Sequence, residues 1–142
     1  MSAEENKAIY RRFIEDVINN QNLDRIGEFL APDIVEHRPG SPSGLAGAKQ
    51  STAGFWQAFP DLRTTIEDIV AEGDLVVARV RVTGTHQGTF MGLSPTGKQI
   101  TLTAMDMWRL RNGKCVEHWA EADMLGLLQQ IGAIPAPGQA AG

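Results

Sequence analysis

Two side chains that can exchange protons, Asp106 and His118, lie on neighbouring predicted strands in the second half of the chain. Residues 98–110 and 114–121 have the alternating pattern of strands, and Arg111-Asn112-Gly113 between them is typical of a hairpin connection. A two-residue loop would place odd positions opposite even ones. A three-residue loop, with glycine in the left-handed conformation, would place even positions opposite even ones.

The hydrophobic pattern favours the three-residue loop, because a slip of one residue moves every side chain to the other face. Even-with-even pairing separates an apolar face from a polar face far better than the alternative. The apolar face then carries Leu102, Ala104, Asp106, Trp108, Leu110, Val116, His118 and Ala120. In this register Asp106 lies directly across from His118, with Cβ atoms roughly 5 Å apart. Because a buried charge is costly unless it is paired, we predict a hydrogen-bonded carboxylate–imidazole pair that transfers protons.

Two further histidines are candidates for the same site. His86 lies on the even, apolar side of the preceding strand, and His37 ends a short extended segment at 33–37. A single inward histidine is more often structural than catalytic, whereas an inward Asp–His pair is more often functional because perturbed pKa values concentrate at active sites. The aromatic residues Phe55, Trp56 and Trp108 are core residues that, in a cone-shaped interior, would also line a pocket.

The other face of the same hairpin carries Cys115, to which we assign no role, together with Met105, Met107 and Trp119. These side chains would leave apolar surface on the outside of a sheet. We therefore expect a second copy of the chain to cover it, in a homodimer.

Helical periodicity comes first along the chain and strand periodicity follows it. Helices are predicted at about 4–20, 24–30 and 45–59, strands at about 62–72, 75–90, 98–110 and 114–121, and a last short helix from about 123. This order favours an α+β fold, a curved antiparallel sheet with about three N-terminal helices and a short C-terminal helix. We expect a single domain over residues 1–142, of which 135–142 form a loose tail.

Composition excludes several classes of function. The 142 residues carry a net charge of −4, which gives no basic excess for nucleic acid. The longest apolar run has four residues, at 75–78, and the acidic N-terminus has no secretory signal, so we expect no membrane partner and a cytoplasmic location. The chain has one cysteine, three histidines and no metal-binding or phosphate-loop motif. We therefore expect it to bind neither a metal nor a cofactor.

Short motifs are spread along the chain. They are GTHQGTFMG at 84–92, PTGK at 95–98, WRL at 108–110, NGK at 112–114, EHW at 117–119 and LLQQIG at 127–132. In these motifs, in its opening helix and in APD at 31–33, the sequence resembles the SnoaL-like polyketide cyclase family of the nuclear transport factor 2-like superfamily. The resemblance covers nearly the whole chain.

The resemblance implies a cone-shaped fold, dimeric or larger assemblies, and ring closure of aromatic polyketide esters by intramolecular aldol condensation without metal or cofactor. A carboxylate removes the α-proton and a histidine on the neighbouring strand assists. The family's catalytic aspartate falls at Ala120 here and its histidine falls at Asp106, so the acid and the imidazole exchange places. Either Asp106 would serve as the base with His118 as the acid, or His118 would serve as the base with Asp106 orienting its ring.

We therefore expect an acid–base enzyme that removes a proton next to a carbonyl, most specifically a cyclase. The alternative is a non-catalytic module that binds a small apolar or aromatic molecule, or a dimeric accessory domain. The expected pocket residues are His86, His37, Trp56, Trp108, Phe55 and Ala120. A binding module would largely keep its ligand affinity after Asp106→Asn and His118→Gln, whereas an enzyme needs both side chains in ionisable form.

Overall fold

A computed structural model describes residues 2–138, in which four consecutive strands follow the N-terminal helices as the sequence predicts, but one further strand precedes the last of these helices. The elements are α1 (Ala3–Phe13), its π-helical continuation (Ile14–Asn19), a 3-10 helix (Leu23–Glu28), β1 (Leu30–Glu36), α2 (Gly44–Ala58), β2 (Arg63–Glu72), β3 (Leu75–Thr85), β4 (Gln99–Arg111), β5 (Lys114–Ala122) and α3 (Met124–Gln130). The α+β prediction is confirmed. Of the predicted tail, 139–142 lie outside the described residues. None of the described helices combines the length and the apolar character that crossing a membrane requires.

The five strands form one sheet in the order β1-β5-β4-β3-β2. Strands β2 to β5 are antiparallel neighbours, as predicted, but β1 pairs parallel with β5. The prediction of an antiparallel sheet is therefore wrong at this edge. The predicted helix at 24–30 also ends sooner, because Leu30 already belongs to β1. Pro32 is tolerated in β1 because an edge strand leaves one row of backbone groups unpaired.

The first helix begins at a side-chain cap. Ser2 Oγ accepts a hydrogen bond from the Glu5 backbone N–H at 3.1 Å, and Glu4 and Glu5 place negative charge in the first turn. The helix buries Ile9, Tyr10 and Phe13 against the inner face of the sheet. Burial of each large apolar side chain contributes roughly 1.5–3 kcal/mol, so this helix is held mainly by its packing on the sheet.

Strand β3 has the predicted two-residue period. Val76, Ala78 and Val80 are buried on the inner face. On the outer face, Arg79 pairs with Asp68 of β2, and Arg81 pairs with Glu67. The inner face of the sheet is thus apolar, so a charged residue on that face needs a specific partner.

The β4–β5 hairpin differs from the prediction in its register. Its turn has two residues, Asn112 and Gly113, both with positive φ (53° and 78°), which is the geometry of a type I′ turn. Arg111 pairs with Lys114, as a two-residue loop requires. The predicted three-residue loop is therefore wrong.

A β-bulge restores even-with-even pairing beyond this turn. Leu110 pairs with Cys115 but Arg109 pairs with Glu117, so Val116 has no register partner. From there on, Trp108 lies opposite His118 and Asp106 lies opposite Ala120. Because the bulge reverses the alternation, Cys115 faces the core and is fully buried, contrary to its predicted place on the wetter face.

The outer face carries Met105, Met107 and Trp119 as the sequence predicts, together with Val70 and Val77. Val70, Val77, Met107 and Trp119 are successive register partners across β2, β3, β4 and β5. We call these four residues the outer apolar row. Val70 is 63% exposed, and Met105 beside the row is 47% exposed. The homodimer that this surface suggests stays a prediction.

Candidate active site

Asp106 and His118 are in contact on the inner face of the sheet. His118 Nε2 lies 3.0 Å from Asp106 Oδ1. The directly opposed register is wrong, since each residue has a different partner across the strands. They meet as diagonal neighbours, which long side chains on one sheet face can do. The predicted carboxylate–imidazole contact is therefore confirmed, although it forms in a different register.

A second carboxylate, Glu36, binds the other ring nitrogen of His118. Glu36 Oε2 lies 2.7 Å from His118 Nδ1, and the two residues are register partners in the parallel β1–β5 pair. Local sequence patterns do not identify Glu36 as a site residue, because its position depends on pairing between distant segments. The available signal was the alternation beside Ile34, which places Glu36 on the same face of the extended segment.

His118 is thus a partly buried imidazolium between two carboxylates. Carboxylate oxygens of ionised side chains only accept hydrogen bonds, so both ring nitrogens must carry protons to satisfy them. Burial lowers the pKa of His118, but the hydrogen bonds and charges of Asp106 and Glu36 outweigh burial and raise this pKa to about 9. At neutral pH the imidazolium donates through both nitrogens and has no free lone pair.

Asp106 is held from a second side by Tyr10 of α1. The Tyr10 hydroxyl donates a hydrogen bond of 2.8 Å to Asp106 Oδ2. Burial raises the pKa of Asp106, but the hydrogen bond and charge of His118 and the bond from Tyr10 lower this pKa below its usual value. Burial and the adjacent Asp106 charge raise the pKa of Tyr10 well above its usual value, so the hydroxyl stays neutral.

The periodicity of the first helix makes Tyr10 one of its apolar positions and does not mark it as a site residue. A buried tyrosine needs a partner for its hydroxyl, and this requirement was the signal that could have identified it. Which partner it finds depends on how α1 packs across the sheet.

Small side chains surround Asp106. Its register partners are Ala78 in β3 and Ala120 in β5, and Ala104 precedes it on the same face of β4. The Asp106 side chain is 22% exposed although it lies on the apolar face. Alanine side chains fill little space and leave the Asp106 side chain partly exposed between its neighbours. Ala120, one of the expected pocket residues, borders this space directly.

The structure does not bring His37 to Asp106. Its Nε2 lies 2.7 Å from Glu117 Oε2, and its ring stacks on Trp119 at 4.7 Å. Since successive residues of a strand point to opposite faces, His37 lies outside the sheet while Glu36 points inward. His37 therefore belongs to the outer face with the outer apolar row.

His86 is fully buried at a distance from Asp106. It follows the end of β3, eight residues beyond Ala78, which is roughly 26 Å of extended chain. Its Nδ1 accepts a hydrogen bond from the Thr96 backbone N–H at 3.3 Å, and its ring packs on Phe59.

The three aromatic candidates divide between two clusters. Phe55 and Trp56 pack against the cluster around Phe59, on the side of His86. Trp108 packs against Tyr10 with ring centroids 5.0 Å apart, so it supports the Asp106 site from within the main core. Of the expected pocket residues, Trp108 and Ala120 are thus next to Asp106.

Other parts of the described chain offer less chemistry. Within residues 2–138, no group of three or more His, Cys, Asp or Glu side chains is arranged to hold a metal ion. A surface groove of about 350 Å³ between the first helical segment and β2 is lined by residues including Arg11, Asn19 and Arg63, and by none of the predicted site residues. The inner-face cluster around Asp106 therefore remains the candidate site.

Comparisons with known proteins agree with this architecture. The protein family described as "SnoaL-like polyketide cyclase" matches residues 8–131 of the chain. The aklanonic acid methyl ester cyclase DnrD of Streptomyces peucetius is 29% identical over 133 residues, 87% of this chain and 88% of that protein.

Solved structures extend the similarity. AclR of Streptomyces galilaeus, a proposed hydroxylase, is 36% identical with a TM-score of 0.86, over 95% of this chain and 85% of that one. IdmH of Streptomyces antibioticus, a proposed polyketide cyclase, is 34% identical with a TM-score of 0.79, over 89% of this chain and 98% of that one.

Proposed function

Because this chain belongs to the SnoaL-like polyketide cyclase family, we propose that it is an acid–base enzyme that removes a proton next to a carbonyl group. The most specific reaction that we propose is the intramolecular aldol cyclisation of an aromatic polyketide-type ester. The observation that carries the proposal is the partly exposed Asp106 side chain, whose carboxylate is held by His118 and Tyr10 on an apolar face. The similarity to DnrD supports a cyclase. Because a proposed hydroxylase has the same fold, the residues of the site, rather than the fold, must distinguish between functions.

Asp106 is the base in this proposal. His118 donates through both ring nitrogens and has no lone pair with which to accept a proton. A carboxylate offers about four lone-pair positions, and His118 and Tyr10 occupy one on each oxygen. The remaining positions are free to accept a proton from carbon. The two donors also fix the orientation of the carboxylate, which favours a defined reaction geometry.

The reaction balances without a co-reactant. Asp106 accepts the α-proton, and the electron pair of the broken C–H bond forms an enolate. The enolate carbon attacks a second carbonyl carbon of the same molecule, which forms the C–C bond and converts that carbonyl oxygen to an alkoxide. Protonated Asp106 returns its proton to the alkoxide and becomes a carboxylate again.

The lowered pKa of Asp106 restricts the substrates that it can activate. A weak base removes protons efficiently from acidic carbons. A carbon between two carbonyl groups, as in a β-keto ester, meets this requirement better than the α-carbon of a simple ketone. We also propose that the bound molecule is small and apolar or aromatic, because the walls around Asp106 are alanine and aromatic side chains.

Solvent deuterium exchange tests the proposal. The protein is incubated in D₂O with aromatic β-keto esters, and α-proton loss is followed by NMR. We expect exchange that Asp106→Asn and His118→Gln abolish while circular dichroism reports a folded protein. Asp68→Asn is the matched control, because Asp68 lies on the outer face of the same sheet and pairs with Arg79.

Ring closure in the same sample would identify a cyclase. Exchange that survives Asp106→Asn would refute Asp106 as the base. Ligand binding without exchange would favour the alternative, a binding module in which Ala120 stands where the family has its catalytic aspartate.

A further inference from the structure

Arg38 stands at the end of the chain of charges that begins at Asp106, and its backbone is fixed. Its N–H donates to Glu36 Oε1 at 2.9 Å, and its carbonyl oxygen accepts a hydrogen bond from the Ser41 N–H at 3.1 Å. The same loop is tied down at its far end, where the Glu36 N–H donates to Ser43 Oγ at 3.0 Å. These three bonds hold Arg38 in a defined place next to the site.

Among the described residues, the guanidinium of Arg38 has an ion pair with Glu36 but no hydrogen-bond acceptor. Its Nε lies 3.5 Å from Glu36 Oε1, without hydrogen-bond geometry, and this nitrogen is enclosed. Of the three half-buried arginines in the described residues, Arg25 and Arg109 donate to carboxylates at 2.9–3.3 Å. Within residues 2–138, no group accepts a hydrogen bond from the side chain of Arg38, which is 29% exposed.

One carboxylate separates this guanidinium from the imidazolium. Glu36 turns Oε2 to His118 and Oε1 to Arg38. The cluster therefore holds two negative groups, Asp106 and Glu36, and two positive groups, His118 and Arg38. The carboxylates of Asp106 and Glu36 are already hydrogen-bonded to His118, whereas the terminal nitrogens of Arg38 have no hydrogen-bond acceptor within residues 2–138. A ligand anion would find its hydrogen-bond partner at Arg38.

We propose that Arg38 binds a carboxylate of the substrate, so that the substrate carries a free acid group in addition to its reacting carbonyls. This inference rests on the proposed function and names the substrate class. A guanidinium forms two parallel hydrogen bonds to a planar carboxylate. A doubly charged phosphate would meet stronger repulsion from Glu36 and Asp106, so the single charge of a carboxylate fits better. A neutral methyl ester would leave the guanidinium without a charged partner.

Paired ligands test the inference. Anthraquinone-2-carboxylate and its methyl ester are titrated separately into the protein, and binding is followed by backbone amide shifts in NMR. We expect the acid to bind about tenfold tighter than the ester, the order of one charge-assisted interaction. Arg38→Gln should reduce the affinity for the acid to that for the ester and leave the ester unaffected. Arg79→Gln, which removes an outer-face arginine, is the control and should change neither.

Three results would overturn the inference. They are equal affinities for acid and ester in the wild type, no binding of the acid, and an equal loss for both ligands in Arg38→Gln. Asp106→Asn should keep the preference for the acid, because binding does not require proton transfer. Deuterium exchange without a preference for the acid would contradict only the assignment of Arg38 as the anion site. A preference for the acid without deuterium exchange would contradict only the proposed reaction.

Discussion

Replacing Glu36 with glutamine should lower the pKa of His118 while leaving the fold in place. The amide has nearly the shape of the carboxylate and can still accept a hydrogen bond from Nδ1, but it has no charge. In the wild type, Asp106 and Glu36 raise the pKa of His118 from 6.5 to about 9 against the effect of burial. Since Glu36 supplies one of the two charges, we expect the variant's pKa to fall by about one pH unit or more, about 1.4 kcal/mol of lost preference for the imidazolium.

The same shift makes stability depend on pH. A histidine whose pKa is raised in the folded state stabilises the fold fully below its unfolded pKa of 6.5, and this contribution disappears as the pH rises through about 9. The difference corresponds to about 3 kcal/mol in the wild type. Asp106 and Glu36 have lowered pKa values, so their contribution is present above their unfolded pKa values and disappears on acidification. The free energy of unfolding should therefore decrease from pH 6.5 to 9, and decrease less in Glu36→Gln.

NMR titration of the imidazole C–H signals measures the pKa directly, with His118→Gln to assign the signal. Urea unfolding at pH 6.5 and 9 measures the stability. Glu117→Gln is the matched control, because Glu117 contacts His37 on the outer face of the sheet. A wild-type His118 that titrates near 6.5, or an unchanged titration in Glu36→Gln, would refute the imidazolium between two carboxylates.

Four further predictions concern the surroundings of the site. Tyr10→Phe removes a donor from Asp106 and should lower the free energy of unfolding in urea by about 1–2 kcal/mol; an unchanged value would show that the hydroxyl is dispensable. Ala120→Leu should fill the space beside Asp106 and abolish deuterium exchange in a folded protein, whereas Ala120→Ser should retain it; exchange in the leucine variant would place the substrate elsewhere. Cys115 is fully buried and its thiol pKa is raised by burial, so it should react with a thiol reagent after unfolding and not before; rapid labelling of the native protein would contradict the bulged register. Met107→Glu in the outer apolar row should convert a homodimer to a monomer in light scattering; a monomeric wild type would refute the expected dimer.

The elements of the fold were predictable because their signals are local. The three-to-four-residue spacing around Tyr10 and Phe13 predicts the first helix, and the alternation of Val76, Ala78 and Val80 predicts an inward face of β3. Both patterns follow from backbone periods that neighbouring residues share. The inward placement of Asp106 and His118 follows from the same alternation.

The details of pairing were not predictable from local signals. The β4–β5 turn and the bulge at Val116 together produce the same even-with-even arrangement as a three-residue loop. Alternation of side chains is identical in the two registers, which differ by two residues, so the pattern could not separate them. Cys115 lies in the stretch between turn and bulge, where alternation is reversed, and its burial could be found only from the structure.

The sequence by itself determined the fold class, the inward Asp106–His118 pair and the family resemblance. The tertiary structure alone decided the state of that pair. Glu36 reaches His118 through a parallel strand pair that joins distant parts of the chain, and Tyr10 reaches Asp106 from α1. These two contacts set the charge of the imidazole and the orientation of the carboxylate. Charge states depend on every neighbour within a few ångströms, and those neighbours come together only when the chain folds.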